Sequence, residues 1–442
     1  MRLYTTAVLI SLSLVGRTGD AKPSINVRTA ANAPYSEAFI SRVRAEVVRG
    51  SHSLLAALDP LLAAPMDSKR RYALGRRALI GLTLLRCGVP VGDKSIAHLF
   101  SILRETPSAS AADVGTTAMA IAARYEGASD PFKTDAPPPS TAGDAPAALP
   151  SIDAEDQRWI DLAVKFLADA QYAPRYIPAT AVPRLKRPPG SGPGVDPVLA
   201  PPRAWGVANA AHQGLDLQIL FDSAYAVLGL DALAHVGVPI DARIWTAALS
   251  FFIVWQAPTG GPVNLDLDEV VGETRATWRE PARARPSGFR YGVWSEASGM
   301  TLACDALGAM LCHRALAGNP EFPPAVRAAS RDAVRDGFAW LQGNFTVKKS
   351  IGDAKDQWRS FAESLCLLGW AYGAARTRFV GGHDWYEEGA NVILDRRAKA
   401  PPTSEADVEG LASDCFDLLF LVRGGPRGAR SLLAPADSAS SK

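Results

Sequence analysis

Apolar residues along this chain recur at three- and four-residue spacing, with little of the strict alternation a strand would show, and the pattern predicts helices almost throughout. Two kinds of helix alternate. One is apolar or small on nearly all sides and covers residues 73–88, 115–125, 222–237, 298–316, 360–375 and 413–422. The other has a charged face, hence one wet side, and covers 38–58, 93–105, 153–171, 241–256, 325–342 and 384–397. A helix buried all round needs cover on both sides. Six such helices alternating with six amphipathic ones therefore predict an all-α fold, an (α/α)6 toroid in which six inner helices are wrapped by six outer ones.

An internal repeat agrees with this. "LIGLTLLRCGVPVGDK" at 79–94 aligns with "VLGLDALAHVGVPIDA" at 227–242 once one residue is allowed before the Gly-Val-Pro. In both, Gly-Val-Pro is expected to end an inner helix and release the chain into the next outer one. Most inner-to-outer connections are short. Pro-rich insertions are expected at 131–152, 172–213 and 257–294, within a toroid spanning 36–425. The last two insertions run from an outer helix to an inner one. Long loops in a compact domain tend to be functional, so the mouth of the cup is expected where the inner helices begin.

At the N-terminus, Arg2, an uncharged stretch from Leu3 to Gly16, and Gly19 and Ala21 in a small-x-small arrangement read as an export signal over 1–21. A flexible segment (22–35) and a disordered tail (426–442) complete the expected organisation, and an exported, periplasmic or extracellular protein is implied. No apolar run reaches the roughly 20 residues needed to span a bilayer. The formal net charge of +2 over 442 residues gives no reason to expect a nucleic-acid partner. Five scattered cysteines make no disulfide framework, and the lack of a C-x-x-C pair leaves a closed zinc site of that kind unsupported.

The stretches "LQILFDSAYAVLGLDALAHVGVPIDARIWTAALSFFIVWQ", "GFRYGVWSEASGMTLACDALGAML", "FVGGHDWYEEGANVIL" and "SDCFDLLFLVRG" resemble the terpenoid cyclase and protein prenyltransferase toroid superfamily, specifically exported bacterial proteins with prenyltransferase/squalene-cyclase-like repeats. The resemblance covers about half the chain, from about 214 to 423. It implies the toroid and an apolar central cavity able to take a lipid or isoprenoid-like ligand. It does not bring the superfamily's chemistry with it. The nearest string to the Asp-x-Asp-Asp-Thr acid motif of squalene-type cyclases is "DLDE", Asp266 to Glu269, in a long loop with Val270 in place of Thr. Of the Asp/Cys/His zinc ligands of protein prenyltransferases, Asp356 is present, but Trp358 stands at the Cys position and Asp414 near the His position. The CGEQ thioester and the Cys-His-Gly zinc motif of other toroids are also missing, since Cys312-His313 is followed by Arg314. No metal site and no cofactor are expected.

Candidate chemistry then falls at the expected mouth. The polar starts of the inner helices are "DVGTT" (Asp113, Thr116, Thr117), "GLDLQ" (Asp216, Gln218), "SEASG" (Ser295, Glu296, Ser298), "DQW" (Asp356, Gln357, Trp358) and "SDC" (Ser413, Asp414, Cys415). Helix capping explains each set singly. Together they would ring one cavity, where facing carboxylates have their pKa values driven apart. Asp216, Glu296 and Asp414 are the candidate acids and bases; His212, Gln218, Trp294, Asp356, Trp358 and Cys415 are candidate cavity residues. "GGHDWYEEGA" at 381–390 invites a metal or acid/base reading, but it lies at the other end of the helices, where a Gly-Gly turn, a cap by Asp384 or His383, and packing by Trp385 account for it. The leading functional reading is a cup for an apolar ligand. The alternatives are an (α/α)6 carbohydrate-active enzyme with paired carboxylates and aromatic platforms, and a non-enzymatic scaffold.

Overall fold

The computed structural model describes residues 35–64, 72–106, 108, 110–126, 151–171, 202–205, 219–258, 261–265, 269–270, 273–274, 283–284, 286–289, 299–317, 319–320, 322, 324–348, 361–375, 377–399 and 408–423. Among these the helices are α1 (Glu37–Ala63), α2 (Ala73–Arg86), α3 (Lys94–Glu105), α4 (Ala111–Tyr125), α5 (Ala154–Asp169), α6 (Ile219–His235), α7 (Ala242–Val254), α8 (Gly299–Ala317), α9 (Pro324–Gly343), α10 (Phe361–Ala374), α11 (Trp385–Lys399) and α12 (Val408–Leu421). The protein is mostly helical, and the even-numbered helices correspond to the six segments that the pattern marks as apolar all round. None of the described helices is long and apolar enough to cross a membrane.

Short polar side chains set where helices start. Ser36 caps α1, Asp93 caps α3, Ser110 caps α4, Asp153 caps α5 and Asp241 caps α7, each accepting a backbone N–H of the first turn. The Gly-Val-Pro repeat sets where two of them stop. Gly88 and Gly237 adopt φ of 93° and 95°, and Val89 and Val238 donate back to Leu84 and Leu233 at 3.0 and 3.1 Å, closing the same left-handed cap twice.

The packing follows the two sets. α2 packs against α4 and α12; α4 packs against α6, α6 against α8, α8 against α10, and α10 against α12. Each even-numbered helix also carries an odd-numbered one: α3 on α2, α5 on α4, α7 on α6, α7 and α9 on α8, α11 on α10 and α1 on α12. The tightest approach is between α4 and α6. A Cβ on Gly115 would lie 2.1 Å from the Tyr225 carbonyl oxygen, and one on Gly229 would lie 2.6 Å from the Gly115 Cα, so both positions need glycine for the backbones to meet.

The pattern predicts no strands, and here the structure differs. In the insertion after α7, β1 (Gln256–Pro258) pairs with β6 (Ser287–Phe289), β2 (Val263–Asn264) with β5 (Arg283–Ala284), and β3 (Glu269–Val270) with β4 (Glu273–Thr274), all antiparallel. These nested pairs form a stepped hairpin laid on α9, pinned by Gln256 Nε2 donating to the Ala333 carbonyl at 2.6 Å. Strands of two or three residues are too short to leave an alternating pattern. A second small pair, β7 (Phe379–Val380) with β8 (His383–Asp384), precedes α11.

Candidate functional site

Of the residues expected to form the site, His212, Asp216, Gln218, Trp294, Glu296, Asp356 and Trp358 lie outside the described residues, as do Asp266 to Asp268 of the "DLDE" string and the expected export signal. Asp414 and Cys415 are described. The helix expected to begin at Ser413 begins instead at Val408, so both sit in its middle. Asp414 is engaged by the Arg397 guanidinium, whose Nε is held by Glu46 of α1, and Arg396 meets Asp417. Asp414 is thus turned toward α1 and α11. Cys415 is fully buried, and burial pushes its thiol far above the usual range, so it stays neutral.

The "GGHDWYEE" stretch folds as a structural turn. Gly381 and Gly382 take φ of 55° and 86°, the conformation a two-residue hairpin demands. Asp384 accepts the Glu387 N–H at 3.0 Å and so caps α11, His383 Nδ1 lies 2.9 Å from Glu388 Oε1, and Trp385 is buried with its indole N–H on the Thr377 carbonyl.

Buried carboxyl and phenol groups converge at the opposite end, where the even-numbered helices start. Tyr72, just before α2, donates to Asp222 Oδ1 in the first turn of α6 at 3.2 Å. One turn further along α6, Tyr225 donates to Glu363 Oε1 in the first turn of α10 at 2.9 Å. Asp222, Tyr225 and Glu363 are all buried, and Tyr72 is half-buried. Tyr225 joins two helices that are each packed on α8, and Asp222 and Tyr225 share a face at i, i+3. Asp113, in the first turn of α4, belongs to the same end. Its Oδ1 accepts the Gly75 N–H at 2.7 Å, supplying the cap that Tyr72, left-handed at φ 60°, does not give α2. Burial raises its carboxyl to about 6, with the Gly75 N–H and Arg76 acting against that shift. A carboxyl poised there exchanges a proton near neutral pH.

Deeper along α10, Trp370 lies seven residues after Glu363, so it shares that helix face about 10 Å further in. It is buried, and its indole N–H has no hydrogen-bond partner among the described residues; the same holds for Thr117 Oγ1 on α4, four residues after Asp113. Tyr372, on the other side of α10, packs against Phe338, Phe345 and Trp385.

Of this constellation, the sequence reading placed Asp113 at the mouth but missed Tyr72, Asp222, Tyr225 and Glu363. Asp222 and Glu363 are first-turn carboxylates in helices that are otherwise mostly apolar, and that mismatch is the signal that would have found them. No grouping of His, Cys, Asp and Glu suited to a metal ion occurs among the described residues. In comparison with known proteins, the chain matches no family model, no curated protein and no solved structure.

Proposed function

We propose that this protein is an (α/α)6 toroid, related to the terpenoid cyclase and prenyltransferase toroids, that is exported and holds an apolar or isoprenoid-like ligand among its inner helices. The observation that carries the reading is the order of helix neighbours. From α2 through α4, α6, α8, α10 and α12 each helix packs on the next, and α12 packs again on α2, which is what a closed inner ring requires. The ring would be lined by helices whose residues are overwhelmingly apolar, with the Tyr72–Asp222 and Tyr225–Glu363 pairs across the end where those helices start. An apolar pocket with a few convergent polar groups is the usual form of a small-molecule site. The indole N–H of Trp370, on the Glu363 face of α10 and without a partner among the described residues, adds a donor at depth.

The test is to purify the protein, denature it, and identify by mass spectrometry what organic and aqueous extracts release. A stoichiometric isoprenoid or other lipid, lost from a Tyr225→Phe/Glu363→Gln double variant that still folds, is the expected result. An oligosaccharide in the aqueous extract would move the assignment to carbohydrate chemistry. A protein that arrives empty and takes up no added polyprenyl lipid would refute the reading.

A further inference from the structure

Away from the inner helices, α5 and α7 are separated on the outside of the molecule by an open-sided groove of about 850 Å³, within the size range of small-molecule sites. Val164 and Ala168 of α5 and Val238, Ile244 and Ala247 from the other wall make it apolar. Gln171, at the end of α5, is tied into the groove wall by Nε2 donating to the Ile244 carbonyl at 3.2 Å.

The charges along the groove are not equivalent. Arg243 is committed to Asp241 through three hydrogen bonds, and Lys165 is committed to Asp169 at 2.6 Å. Asp161 accepts from Gln157 at 2.8 Å. Arg203 differs from these. Its backbone N–H is fixed on the Ala247 carbonyl at 3.2 Å, next to the buried Trp205, while its exposed guanidinium pairs with no group among the described residues. A guanidinium on a backbone-anchored residue, uncommitted among the described residues and beside an apolar trough, complements a ligand with one anionic end and an apolar body.

We propose that the α5/α7 groove is a binding site for a long-chain carboxylate, with the Arg203 guanidinium on the headgroup and the chain lying along Val164, Ala168, Ile244 and Ala247. The site is independent of any ligand among the inner helices. It is tested by calorimetric titration of the full chain at pH 8 with dodecanoate and with dodecanol, both below micelle-forming concentration. The expected result is saturable one-site binding of dodecanoate, tighter than dodecanol. Arg203→Gln should weaken dodecanoate about fivefold, the scale of a solvent-facing ion pair, and leave dodecanol unchanged. Val164→Asp, on a half-buried position and with its helical circular-dichroism spectrum matched to the wild type, should weaken both. Absence of saturable binding, equal binding of the two ligands, or dodecanoate binding that either variant leaves unchanged overturns the proposal; binding that survives Val164→Asp belongs elsewhere in the molecule.

Discussion

Asp113 joins local structure to the site. Its carboxyl stabilises a neighbouring helix by accepting the Gly75 N–H, and a Cβ on Gly75 would lie 2.6 Å from that same oxygen. The cost of the arrangement is a buried charge. With the folded carboxyl at about 6 against an ordinary 3.8, the native state holds more protons than the unfolded chain across that interval. Stability therefore falls as pH rises through about 4 to 6 and levels off above. Asp113→Asn keeps an acceptor for the Gly75 N–H and removes the titration. Urea melts between pH 4 and 7 should show the wild type losing on the order of 2 kcal/mol relative to the variant, and parallel pH profiles would show that burial does not perturb this carboxyl. The sequence marks Asp113 as a first-turn acid, but not that it caps a different helix from its own. Likewise nothing local distinguishes Asp414, clasped by Arg397, from Asp222, which receives a phenol from 150 residues away.

Among the elements, the best-determined features are those whose causes lie within a few residues. Asp caps and Gly-Val-Pro stops are local hydrogen-bond devices, and both recur where the letters place them. The α4/α6 crossing is different, because two glycines must coincide in space. Gly115→Ala drives a methyl into the Tyr225 carbonyl, backbone against backbone, and is expected to cost at least about 3 kcal/mol, the upper end for overpacking. Gly92→Ala, with nothing within 4 Å, is the matched control and should stay within about 0.5 kcal/mol. Equal denaturation midpoints for the two variants would mean that α4 and α6 are not in this contact. The stepped hairpin after α7 was illegible for the converse reason: its strands are held by pairing and by α9, with too few residues for a pattern.

For the whole molecule, the first described residues meet the last. Tyr35 receives a hydrogen bond from Arg423 Nη2 at 2.9 Å, lies under Arg378 at 4.2 Å, and donates to Asp384 at 3.2 Å; the Arg423 guanidinium sits 3.7 Å from the Tyr386 ring centre. Arg423 is almost fully buried, so its loss removes packing and a cation–π contact together. Arg423→Ala should lower the unfolding free energy by about 3 kcal/mol, and hydrogen exchange should show α1 and α12 losing protection together. Loss confined to α12 would argue against the two ends forming one cooperative unit. Taken alone, the sequence determined the order of the helices, which of them are apolar all round, and the Asp93 and Asp241 caps of two amphipathic helices, because burial demand and local capping are written in residues three to five positions apart. Only the tertiary structure decided that Tyr225 reaches Glu363, that Asp414 belongs to an ion-pair seam, that Arg203 stands beside a groove, and that Tyr35 meets Arg423. Those are contacts between residues tens to hundreds of positions apart, and whether a polar side chain becomes a cap, an ion pair or a site depends on which helix folding brings opposite it.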